Sequence, residues 1–225
     1  MTTPSSERST PDRNRPDRNR LDDRSRLDRN RLDRKTWSLR FIRSLLLWIF
    51  PAAFVWMAVT PYYNLFLNTS TENLVRLSES PAATRLQLHE DLHHFLITRT
   101  DVPTSRGSLG SVRISDTHFP LIMLWAFFLA VPAIPWRKRF ENLGWATLAS
   151  IFFHILSLFC WVKFIYATQL GEWSVQNFST FQINFWGLSK HLLDLPFKFS
   201  MPLILWAAFY LGEMLPRDSA PANTN

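Results

Sequence analysis

The sequence predicts an all-α integral membrane protein of four transmembrane helices, with a small extracytoplasmic α/β insertion of three strands between helices 1 and 2. Three observations carry that expectation. Hydrophobic residues make up 47% of the 225 and aromatics 15%, with ten Trp and nineteen Phe, a balance that points away from soluble domains. The apolar residues gather in four runs close to the about 20 residues that cross ~30 Å of hydrocarbon. The charge is segregated as well: residues 1–43 hold 13 Lys/Arg against 7 Asp/Glu, +6 of the total +7, and leave the remainder nearly neutral.

Residues 1–43 read as a disordered basic cytoplasmic arm. Within it "PDRNRPDRNRLDDRSRLDRNRLDRK" repeats Asp-Arg every five or six residues. Pro11 and Pro16 oppose a continuous helix at its start, and Leu21, Leu27 and Leu32 recur at six and five residues, which builds no apolar face. Aspartates offset the arginines and no aromatics interleave for base stacking, which argues against nucleic acid as a partner. A solvated tail, or a juxtamembrane segment drawn to anionic headgroups, fits the composition.

The four spans are 44–62, 119–136, 143–167 and 197–215. Each is apolar all round rather than on one face, as lipid requires and a soluble core helix does not. Their few charges include Lys198 and Glu213, near the ends of the last run, where long side chains can snorkel. Trp and Tyr cluster toward the boundaries, as an aromatic belt does. Arg34, Lys35, Arg40 and Arg43 before the first span, and Arg137, Lys138 and Arg139 in the loop 137–142, place both on the cytoplasmic side. Segments 63–118 and 168–196 then lie outside, and the N- and C-termini, with the tail 216–225, inside. A cleavable signal peptide is a poor fit to the first span, because more than forty residues precede it and a suitable small-residue cleavage site is missing.

In the first outside segment, Asn64 onward is helix-compatible, with Glu72 four residues before Arg76, and extends the first span outward. Period-two alternation around Leu86/Leu88, Phe95/Ile97 and Val112/Ile114, separated by turn material at Glu90/Asp91 and "DVPTSRGSLG", predicts three strands. His89, His93 and His94 fall in that strand-and-turn pattern rather than at helical spacing, so no metal site is expected. In 168–196, Phe178, Phe181, Phe185, Leu188, Leu192 and Leu195 recur at three and four residues and predict an amphipathic helix on the membrane surface or against the other spans, ended or kinked by Pro196.

Chemistry is sparsely encoded. Cys160 is the sole cysteine, which excludes an intrachain disulfide framework and a Cys-rich zinc site, and no cofactor motif is present. A thiol mechanism would need a base, and six residues of helix rotate Cys160 about 120° from His154, leaving His118 or His191. His154, midway along the third span, is the intramembrane ionisable residue. "FPLIMLWAFFLA" (119–130) and "MPLILWAAFYLG" (201–212) look alike and run in the same direction, as parallel repeats in some transporters do.

"TPYYNLFLNTSTENLVRLSESPAATRL", "HFPLIMLWAFFLAVPAIPWRKRFENL", "HILSLFCWVKFIYATQLG" and "MPLILW" together resemble the exosortase H-associated membrane proteins, small bacterial multi-pass proteins encoded with exosortase H. The resemblance spans residues 50–206 and transfers no catalytic residue and no cofactor. It implies an inner-membrane protein working beside a membrane cysteine transpeptidase that processes C-terminally anchored substrates. The expected function is therefore a non-enzymatic accessory or scaffold, whose partners are the bilayer and another membrane protein, the exosortase or its substrate. The alternatives are a thiol enzyme built on Cys160 and a small transporter. Tyr62, Tyr63, Asn64, Glu72 and Arg76, with His154, are the candidate interaction residues.

Overall fold

A computed structural model describes residues 15–89, 93–102, 109–114, 118–132 and 134–214. The expected tail 216–225 and the turn at Glu90/Asp91 lie outside them. The chain divides into two compact units, residues 1–43 and 44–225.

Helix α1 runs Arg15–Leu77, so residues 15–43 are helical where the sequence predicts a disordered arm. Pro16 falls in the first turn, where its missing N–H had no intrahelical partner to lose. From residue 17 to 43 no proline or glycine interrupts a composition led by Arg, one of the better helix formers. As expected, the helix also continues outward past Tyr62, ending at Leu77.

Three antiparallel strands follow, β1 (Thr84–Leu88), β2 (His94–Arg99) and β3 (Gly110–Arg113), in the order β1-β2-β3. Leu86 faces Ile97, Phe95 faces Val112, and these four are buried together with Ile114, so the period-two pattern located both the strands and their inner face.

The second expected span, 119–136, is a shorter helix, α2 (His118–Ala130). Thirteen residues rise about 20 Å, short of ~30 Å of hydrocarbon. Val131 precedes Pro132, whose ring disfavours helical geometry in the residue before it, and the helix stops there. Helix α2 is instead the buried centre of the bundle: it packs against α3 and α6 through Leu121, Leu124, Ala126 and Phe128.

Helix α3 (Trp136–Thr168) absorbs the expected cytoplasmic loop 137–142 into its first turns. Arg139 explains the tight connection. Its guanidinium donates to Leu129 O at 3.0 Å, satisfying a carbonyl at the end of α2, and to Ile134 O at 2.8 Å in the connection that follows, and it stacks on Trp136 at 4.5 Å.

Gly171, at φ +60°, turns the chain into the short α4 (Glu172–Asn177). Helix α5 (Thr180–Leu192) starts with a capping box between Ser179 and Gln182. It does not end before the last span. A π-helical turn, Leu193–Phe197, carries it through Pro196 into α6 (Lys198–Met214), giving a continuous apolar stretch, Thr180–Leu211. The wider π turn accommodates the donor that proline lacks. The expected surface helix 168–196 and span 197–215 are thus one element. Among the described residues three stretches are long and apolar enough to cross a membrane, Thr36–Leu77, Trp136–Thr168 and Thr180–Leu211.

Helix α5 packs on α3 by its less apolar side. Trp186 meets Phe159 edge-on at 5.8 Å, Gly187 lies beside Phe164, and Lys190 Nζ is 3.9 Å from the centre of the Trp161 ring. The stripe Phe181, Phe185, Leu188, Leu192 and Leu195 is turned away from the bundle and exposed.

Candidate functional site

Two polar clusters hold the elements together, one between the helices and one beneath the sheet. The first is organised by Trp56 of α1, whose indole meets Tyr63, His118 and Trp125 edge-on at 4.9, 6.0 and 5.8 Å. The Tyr63 hydroxyl and His154 Nδ1 share a 2.6 Å hydrogen bond that joins α1 to α3, and His118 Nε2 lies 2.9 Å from Asn64 Oδ1, joining α2 to α1. Burial makes these contacts mandatory, because an unpaired polar group in an apolar interior costs about 1–3 kcal/mol. Lys198, expected to snorkel, is buried instead and donates to Asp194 at 3.3 Å. Beside this cluster a cleft of about 410 Å³ opens between α1 and α2, lined by apolar Ala53, Trp56, Met57 and Ile122 and, at its other end, by polar Asn64 and His118.

The second cluster centres on Arg99, the last residue of β2. Its guanidinium sits in the corner formed by the nearly perpendicular Tyr166 and Trp173 rings, 4.8 and 4.5 Å from their centres. It donates to Glu79 Oε1 at 2.8 Å and, in a fork, to both oxygens of Asp101 at 2.9 and 2.7 Å. Glu79 also accepts from the Thr84 amide at 3.1 Å and the Thr84 hydroxyl at 2.6 Å. Since that hydroxyl donates to Glu79, Tyr166 is the donor in its 2.6 Å bond to Thr84. The result is a relay from α3 through β1 to the segment after α1, closed by β2. Both ionic partners are almost dry, with 7% and 6% of their side chains exposed. The Arg99 hydrogen bond holds the Asp101 carboxyl below its ordinary range.

Helix α1 also closes one side of the sheet. Asn68 Nδ2 donates to Leu86 O at 3.1 Å, and the Leu86 amide donates to Glu72 Oε2 at 3.1 Å. Glu72 additionally pairs with Arg76 at 3.5 Å, the i,i+4 contact that their spacing predicts.

No protein-family model, curated protein or solved structure matches the chain.

Of the residues singled out in the sequence, Tyr63, Asn64, His118 and His154 converge, but in the interior. Tyr63, Asn64 and His154 are buried and bond to other helices, so they do not form an accessible partner surface as predicted. Tyr62 is 77% exposed and Arg76 is also exposed, so those two do face outward. Cys160 is buried, 5% exposed, on α3. Of the two bases proposed for it, His118 is against Asn64 and Trp56, and His191 packs its ring 6.2 Å from Phe164. Among the described residues no three His, Cys, Asp or Glu side chains gather as a metal site. The Arg99 cluster and the Lys198–Asp194 pair are not recognised from the sequence; Asp194 and Lys198, four apart on a helix, carry the only local signal of either.

Proposed function

We propose that this chain is a non-enzymatic accessory or scaffold protein of an exosortase-type sorting system in a bacterial cytoplasmic membrane. The observation that supports it is the Arg99 relay, which fastens the sheet to the ends of α1 and α3 and so presents a rigid polar platform on apolar helices. Such an assembly positions another protein. The buried polar groups are spent on joining helices, and Cys160 has neither exposure nor an assigned base, which weighs against the thiol-enzyme alternative.

The partner-facing surface is the outward side of α1 just beyond its apolar run, where Tyr62, Leu65 and Phe66 are exposed in line with Arg76. An apolar patch ending in a charge suits a second membrane protein at the outer membrane interface. Affinity capture from mildly solubilised membranes should recover an exosortase or its substrate. Joint Tyr62→Ala and Arg76→Ala replacement should abolish recovery without lowering thermal stability, and Cys160→Ser should leave substrate processing intact. Reproducible recovery of neither protein, or loss of processing in Cys160→Ser, refutes the reading.

A further inference from the structure

The two edges of the sheet are treated differently. In an antiparallel ladder, hydrogen-bonded pairs alternate with pairs whose amides and carbonyls point away. His89 N donates to His94 O and Thr100 N to Ala83 O, which turns the backbone groups of Thr84 and Leu86 outward from β1. Three of those groups are occupied: the Leu86 carbonyl by Asn68, the Leu86 amide by Glu72 and the Thr84 amide by Glu79. On the other side, Ile114 N donates to His93 O, in phase with the pairs Phe95–Val112 and Ile97–Gly110. The amides and carbonyls of Ser111 and Arg113 therefore point away from β2. No partner for them occurs among the described residues, and both residues are exposed.

Charge selects what can fill that edge. The outward face of the sheet carries Arg85, Arg113 and, opposite Arg113, His94, with no carboxylate from any of the three strands. A second copy pairing edge to edge would bring two Arg113 side chains close together, and like charges across strands are destabilising.

We propose that β3 is a docking edge on which an extended acidic segment of a partner protein adds as a fourth strand. Backbone hydrogen bonds to Ser111 and Arg113 supply register, and Arg113, on the edge strand itself, supplies the preference for acidic residues. The proposal does not depend on the identity of the sorting system.

Ser111→Pro gives a selective test. Proline is tolerated on an edge strand when its nitrogen faces solvent, so this change deletes the docking amide and leaves the ladder to β2 intact. The probe is a fluorescein-labelled octapeptide alternating glutamate and valine, with the lysine–valine octapeptide as control, read by anisotropy against the full chain in detergent. Wild type should bind the glutamate peptide and not the control. Ser111→Pro should weaken binding roughly tenfold, and Arg113→Glu should reverse the preference. Hydrogen exchange on the wild type, which needs no variant to fold, should show the Ser111 and Arg113 amides slowed by peptide and the Leu86 amide unchanged. Equal binding of both peptides, no binding of either, unaltered binding by a folded Ser111→Pro, or a dimer of the wild type that Ser111→Pro dissociates would each overturn the proposal.

Discussion

Arg99 is the residue on which the sheet's attachment turns. Removing it by Arg99→Ala leaves Glu79 nearly dry with its charge unbalanced, a loss that costs about 3–5 kcal/mol where a buried pair is broken from one side. Thermal unfolding in detergent should show a large drop, and Arg99→Lys should recover only part of it, because a lysine can neither fork onto Asp101 nor reach the Tyr166 and Trp173 rings with the same planar group. Asp101 supplies the pH dependence. Its folded-state pKa is depressed by the Arg99 hydrogen bond, so its contribution is complete above the unfolded value near ~3.9 and is lost as pH falls through the lower folded value. Asp101→Asn should lower stability at neutrality by the modest amount a partly solvated carboxylate contributes, and flatten the acid limb below about pH 4 by that same amount, so that the two proteins converge in acid. In the helical cluster, Tyr63→Phe should cost about 1–2 kcal/mol by leaving His154 Nδ1 without its partner, read by the same unfolding measurement. These pairings left no trace in the sequence. Tyr63 and His154 are 91 residues apart, and no local periodicity encodes which tyrosine a buried histidine meets.

Elements were legible where their signal was local and periodic. The strand faces followed from alternation because each strand buries one side, and the capping of α5 follows from Ser179 and Gln182 three residues apart. Element ends were hardest to place at prolines: Pro196, expected to end or kink its helix, is carried through by a π turn, whereas Pro132, inside the second expected span, ends its helix and so shortens it. The α5 stripe shows a different limit. Amphipathic spacing identifies an apolar face but not which medium it meets, and in a bundle threaded through lipid the apolar face is free to turn outward while Trp186, Gly187 and Lys190 take the helix contact. Gly187 sits at that contact: a Cβ there would lie 3.6 Å from the Phe164 ring, an ordinary distance. Gly187→Ala should therefore fit and stabilise by up to ~1 kcal/mol through helix propensity, whereas Gly187→Leu should push α5 from α3 and lower the unfolding temperature. A destabilised Gly187→Ala would mean the two helices approach more closely than this.

At the scale of the whole molecule, composition announced apolar helices of membrane length but not their lengths one by one: among the described residues three stretches reach it, while α2, equally apolar, has thirteen residues. The expected topology rests on α3. Its 33 residues rise about 50 Å, well beyond the ~30 Å of hydrocarbon, with Arg137, Lys138 and Arg139 in its first turn and the sheet held at its last turns by Tyr166 and Ile165. If α3 crosses the bilayer, the basic cluster and the sheet must lie on opposite sides, and the bias of Lys and Arg toward the cytoplasm places the sheet outside. In a Cys160→Ser background, His89→Cys should react with a membrane-impermeant maleimide in intact cells, and Lys138→Cys only after permeabilisation; both positions are exposed, so failure to label cannot be blamed on burial. Labelling of both from the same side would remove α3 from the membrane, and with it the outward platform on which the accessory role and the docking edge of β3 rest.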